Sequence, residues 1–143
     1  MKALFLLLAG ASLLNAEDNL NKLVPDLVVP SVTEGQPAAD KRVKLASAGA
    51  SPLLYLPADW TPAKKWPVIV EYPGNGAFKN DLGDVSDGTV EGCAMGYGIS
   101  EGKGYIWLCL PFVDTEGENQ IKWWGDVSET KRYCHAAVQQ TCI

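Results

Sequence analysis

Two nearly unbroken apolar runs constrain this chain more than any other feature. Trp66-Pro67-Val68-Ile69-Val70-Glu71-Tyr72 is β-branched and apolar at almost every position, and residues 104–113 (GYIWLCLPFV) repeat the pattern. A sheet with one wet face alternates apolar with polar residues, so runs like these predict strands covered on both faces, as in a mostly parallel sheet. The first run breaks at Pro73-Gly74-Asn75-Gly76. Residues 77–103 are glycine-rich without sustained periodicity and read as a long loop. After the second run, residues 114–125 form another loop. A helix then begins, with Asp126 as cap and Glu129 three residues on, a capping-box-like pair. Val127, Thr130, Cys134, Ala137, Val138 and Thr141 recur at three- and four-residue steps along one face.

Ahead of these runs, residues 41–46 and 51–56 read as short strands. Pro25, Pro30 and Pro37 argue against a regular element in residues 17–40, which read as an extended lead-in. Strand, long loop, strand, helix is the opening of an α/β unit. Two buried strands and one helix leave apolar faces uncovered. The expectation is an incomplete α/β sheet with few strands and a C-terminal helix, residues 41–143 being the N-terminal part of a larger domain.

The N-terminus reads as a targeting segment. Met1-Lys2 precedes an uncharged run from Ala3 to Leu14, and Asn15-Ala16 stands before Glu17-Asp18. That run is too short to cross a bilayer, which needs about 20 apolar residues. Residues 1–16 therefore read as a secretory signal peptide, and the mature chain is expected to be secreted or periplasmic, with no membrane attachment. With 12 Lys plus Arg against 17 Asp plus Glu, the net charge is −5. Such a chain has no basic surplus to neutralise phosphates, so nucleic acid is not an expected partner.

Export makes Cys93, Cys109, Cys134 and Cys142 candidate disulfide cysteines. Four cysteines allow three full pairings. Cys134 and Cys142 lie eight residues apart in one expected helix, about 12 Å, too far to bridge there. Buried free thiols are the competing reading. With no C-x-x-C and one histidine, no metal site is expected.

Several motifs carry little. Gly98-Ile99-Ser100-Glu101-Gly102 matches G-x-S-x-G, but a nucleophile elbow needs a strand before the serine and a helix after it, and here the order is reversed. His135, the sole histidine, reads as a helix-surface residue rather than a base. Asp81, Asp84 and Asp87 lack the alternating spacing of a calcium loop. Glu116 and Glu118 read as solvated loop residues.

The runs also carry a resemblance. The phrases LLYLP and KKWPVIVEYPGNG, then GYIWLCLPFV and WWGDVSETKRYCHAAVQQTC, together resemble the secreted, esterase-like branch of the α/β-hydrolase superfamily over residues 41–143. The resemblance implies serine-hydrolase chemistry on a small-molecule ester, with no cofactor. It implies that the loop after the first apolar strand supplies backbone N–H donors to an oxyanion hole. By position those donors are Asn75 and Gly76. This chain has Pro73 where the family commonly has His. The nucleophile, acid and base of the family would all lie beyond Ile143, so the sheet is truncated before the nucleophile elbow and no catalytic residue is assigned. The fragment is then expected to be inactive alone. The alternative is a secreted carbohydrate-binding module using loop tryptophans Trp60, Trp123 and Trp124, with Trp66 and Trp107 in the core. A binding module would show many short strands at even spacing, which this sequence lacks.

Overall fold

A computed structural model describes residues 28–45, 50–83, 85–122 and 126–141. The expected signal peptide, residues 1–16, and residues 17–27 of the lead-in lie outside them; the rest of the lead-in is not wholly irregular, since Val32–Thr33 pairs with the sheet as a short strand. The elements run β1 (Val32–Thr33), β2 (Lys41–Lys44), β3 (Leu53–Leu56), β4 (Val68–Glu71), β5 (Phe78–Lys79), β6 (Val85–Ser86), α1 (Met95–Ser100), β7 (Ile106–Cys109), β8 (Phe112–Val113), β9 (Asn119–Gln120) and α2 (Val127–Thr141). Five strands form one mixed sheet in the order β1-β2-β3-β7-β4. The fold is thus α/β-like. β3 pairs antiparallel with β2 and β7, and β7 pairs parallel with β4. Two small hairpins, β5–β6 and β8–β9, stand apart from the sheet. Among the described residues no helix is long and apolar enough to cross a membrane.

The period-2 geometry of strands explains how unbroken apolar runs are used. Leu54, Leu56, Ile106 and Leu108 face one side, where Ala137, Tyr133, Cys134 and Val138 of α2 cover them. Leu53, Tyr55, Trp107 and Cys109 face the other, where Val90, Cys93 and Tyr97 pack. β7 is buried along its whole length.

β4 departs from expectation. Its sequence reads as the most buried strand, yet it is the sheet edge and is half-buried, with Val70 37% exposed. Among the described residues it has a neighbour on one side only. The run 104–113 also divides. Pro111 has no N–H for a ladder, so the strand stops at Cys109 and the chain re-forms as β8.

The stretch 77–103 is more than a loop, since it holds β5, β6 and α1. α1 is six residues with two glycines, too short and too weak in propensity to form alone. It exists because Gly96 has no side chain and lies against the Trp107 indole, where a Cβ would overlap the ring.

α2 starts as read from sequence. Asp126 Oδ1 accepts the Glu129 N–H at 2.7 Å. Thr130 and Ala137 are buried, Cys134 and Val138 half-buried, and Val127 is exposed rather than inward.

Candidate functional site

β4 delivers the chain to Pro73-Gly74-Asn75-Gly76, where the sequence points to oxyanion donors. Pro73 is buried, and Gly74 lies against Ser86 of β6. Gly76 donates its N–H to the Ile121 carbonyl. A Cβ at Gly76 would stand 2.6 Å from the carbonyl oxygens of both Asp87 and Ile121. Gly88 packs on the same point with φ +77°, a conformation that glycine adopts without strain. The glycines therefore serve close packing of the chain on itself. For the Gly76 amide to serve a substrate oxygen, its bond to Ile121 must open.

Beside this loop lies a cleft of about 320 Å³, lined by Pro73, Gly74, Ser86, Asp87, Thr89 and Cys93 among others. Asp87 Oδ1 accepts the Thr89 N–H at 2.8 Å and the Thr89 hydroxyl accepts the Gly92 N–H at 3.1 Å, so the cleft wall is a pair of side-chain-closed turns.

Behind the cleft sits a partly buried polar node that sequence reasoning did not find. The Glu71 carboxylate accepts the N–H groups of Ala94, Met95 and Gly96, the unpaired donors at the start of α1, at 3.1, 3.1 and 2.8 Å. It also accepts the Trp107 Nε1–H at 2.8 Å. Arg42, 4% exposed, lies over the Trp107 ring at 4.6 Å. Its guanidinium donates to the carbonyls of Val90, Cys93 and Glu91 at 2.8, 3.0 and 3.2 Å, while its Nε has no hydrogen-bond partner. Arg42 and Glu71 thus tie residues 90–96 to the sheet from two sides. The available signal was the ionisable residue at the end of an otherwise apolar run, Glu71 in WPVIVEY.

Two cysteines complete the node. Cys93, Cys109 and Glu71 bring one ligand atom each within 4.8 Å of one another. The set suits a metal poorly: both Glu71 oxygens already accept two N–H groups each, and a guanidinium stands beside the Cys109 sulfur at 4.0 Å. The neighbouring Cys109 sulfur and burial push the Cys93 thiol well above its ordinary range; Glu71 adds to this and Arg42 opposes it. Cys93, Cys109 and Cys134 are free thiols here. Cys134 lies on the opposite face of the sheet, and Cys142 lies outside the described residues.

A second depression of about 660 Å³ runs between the edge of the sheet and α2, lined by Tyr72, Phe112, Thr130, Lys131, Cys134, His135 and Val138. Burial and the Cys134 thiol push the Tyr72 phenol up to about 12. His135 is exposed there, on the far side of the sheet from the Pro73–Gly76 cleft lining.

Among the described residues, the remaining sequence candidates close local turns and helix ends, stand exposed, or pack against the core. Ser100 ends α1 and its hydroxyl donates to the Gly96 carbonyl at 2.8 Å, so it closes a helix rather than crowning an elbow. Asp81 is exposed and Asp84 lies outside the described residues. Glu116 and Glu118 are exposed in the β8–β9 turn, which Asp114 organises by accepting both their N–H groups at 2.9 Å. Trp60 packs against the core, and Trp66 lies under Lys64, 4.0 Å from its ring centre. Trp123 and Trp124 lie outside the described residues. No family model matches the chain, and comparison with curated proteins and with solved structures finds no match.

Proposed function

We propose that this chain is the N-terminal part of a secreted serine hydrolase of the esterase type, contributing the oxyanion loop and lacking activity by itself. The observation that carries this reading is the position of β4. It is a parallel strand whose outer edge is unpaired among the described residues and whose C-terminal end runs straight into Pro73-Gly74-Asn75-Gly76. β7, the strand that leads through β8 and β9 to α2, already has neighbours on both sides. A further parallel strand reached through α2 therefore has its open place beside β4, and its C-terminal end would face the glycine loop. Strand ends facing such a loop are where an elbow serine and backbone donors meet an acyl group. The expected substrate is a small-molecule ester, with no cofactor, no nucleic-acid partner and no membrane attachment in the mature form. The sugar-binding alternative has less behind it, because Trp60 is packed into the core rather than presented as a platform.

The test is to capture the native product with an antibody to residues 60–80 and treat it with a fluorophosphonate, which labels activated serines. The reading expects a mass well above 15.4 kDa and a labelled serine outside residues 1–143. An unlabelled product, or label on Ser86 or Ser100, overturns it.

A further inference from the structure

We propose that Cys93 and Cys109 are a paired redox site that closes to an intramolecular disulfide and locks the wall of the Pro73–Cys93 cleft onto the sheet. The inference stands apart from the hydrolase reading and rests on four observations.

The two sulfurs lie within 4.8 Å of one another, so they are near neighbours that must close a gap of roughly 2–3 Å to reach the bonding distance of about 2.05 Å. Cys109 sits on β7, buried, with β3 and β4 on either side, whereas Cys93 is on the segment leading into α1 and lines the cleft of about 320 Å³. Both cysteines are buried, at 4% and 1% exposure, and Cys93 is the one that borders the cleft, so Cys93 is placed on the side from which a small reagent enters and Cys109 is placed to resolve. The guanidinium of Arg42 approaches the Cys109 sulfur at 4.0 Å and donates to the backbone carbonyl of Cys93 at 3.0 Å, so the resolving Cys109 thiolate has a cation beside it. A metal is the competing use of such a cluster, and the same guanidinium and the fully engaged Glu71 carboxylate oppose it.

The chemistry is thiol–disulfide exchange with a small-molecule disulfide such as glutathione disulfide. The Cys93 thiolate attacks one sulfur of the reagent. That S–S bond breaks and one glutathione thiolate leaves with the electron pair. The Cys109 thiolate then attacks the Cys93 sulfur of the mixed disulfide, forming the internal bond and expelling the second glutathione thiolate. The two cysteine protons end on the two glutathiones, and the reagent is reduced by the two electrons that the protein loses. Exchange needs thiolate, and the neighbouring Cys109 sulfur together with burial pushes the Cys93 thiol up, so the reaction quickens as pH rises.

The full chain is treated with glutathione disulfide at pH 8, alkylated and digested with trypsin. Cleavage after Lys79, Lys103, Lys122 and Arg132 puts Cys93, Cys109 and the Cys134/Cys142 pair on three different peptides. The expected result is a dithiothreitol-sensitive link between peptides 80–103 and 104–122, with a thermal midpoint raised by roughly 10 °C for a closed loop of this length. Cys93→Ser and Cys109→Ala each abolish the rise, while Cys134→Ala keeps it. Three outcomes overturn the proposal: both thiols still alkylated after a treatment that oxidises the unfolded chain, a link from Cys93 or Cys109 to Cys134 or Cys142, or zinc ion protecting both thiols while no link forms.

Discussion

Glu71 accepts a hydrogen bond of 2.8 Å from the indole N–H of Trp107, joining the end of the edge strand to the middle of the fully buried one. The same carboxylate holds the N–H of Ala94 and the first two N–H groups of α1, so one side chain fixes a strand, a helix and the segment before it. Glu71→Gln replaces an acceptor oxygen by an NH₂ facing N–H donors. The expected loss is about 2 kcal/mol or more in urea unfolding followed by tryptophan fluorescence. Glu91→Gln, which removes an exposed ion pair with Lys44 at 3.5 Å, is expected to change stability by less than about 0.5 kcal/mol.

Helix propensity alone would favour alanine at every glycine of α1. Gly96 and Gly98 should nevertheless respond in opposite directions. A Cβ at Gly96 overlaps the Trp107 indole, and Gly96→Ala is expected to cost about 2–3 kcal/mol by overpacking. Gly98 is exposed, and Gly98→Ala is expected to stabilise by about 0.5–1 kcal/mol. Thermal melts of the two variants side by side check the pair; equal shifts would refute the close packing of α1 on Trp107.

Thr130 is the buried polar contact between α2 and the chain leaving β7. Its hydroxyl accepts the Val113 N–H at 3.2 Å and donates to the Val113 carbonyl at 3.4 Å. Thr130→Val keeps the volume and leaves both backbone groups without that partner, at an expected cost of about 1–2 kcal/mol. Thr130→Ser should cost less, because the hydroxyl stays. Chemical denaturation of both variants decides it.

Acid should loosen the β8–β9 turn before the sheet. The N–H groups of Glu118 and Glu116, with the Gln120 amide, hold the Asp114 carboxyl below its ordinary range. A depressed folded value stabilises the turn above the unfolded value, about 3.9, and that support fades as pH falls through the folded one. Carboxyl carbon NMR should give an Asp114 midpoint below that of an unstructured aspartate. In Asp114→Asn the acid-side loss of the β8–β9 cross-strand contacts should disappear.

Much of the architecture was legible from sequence, for identifiable reasons. The strands at β3, β4 and β7 follow from apolar content, β2 from the weak alternation over residues 41–46, and the start of α2 from Asp126 and Glu129. β4 misled because an apolar run records how much surface is covered, not which strand sits centrally. α1 could not be read because its stability comes from Glu71 and Trp107, residues 25 and 11 positions from Gly96. The Pro73–Gly76 turn was visible as a break, but its Gly76 amide is engaged by Ile121, a partner that no local pattern announces. Arg42, Glu71, Cys93 and Cys109 converge only through the sheet order, and no spacing rule relates them.

The placement of β7 between β3 and β4 also sets the sequence of events in folding. Leu53 pairs with Cys109 and Val68 with Ile106, so the two halves of the sheet share no strand until the chain has been made as far as residue 109. β2 and β3 can close early as neighbours, but β4 has nothing to pair with and must wait. Such non-local closure is slow, and it leaves an apolar ribbon without a partner during synthesis. The segment Val68–Glu71 is thus the point at which a nascent chain of this protein is most open to capture by a chaperone or by another copy of itself.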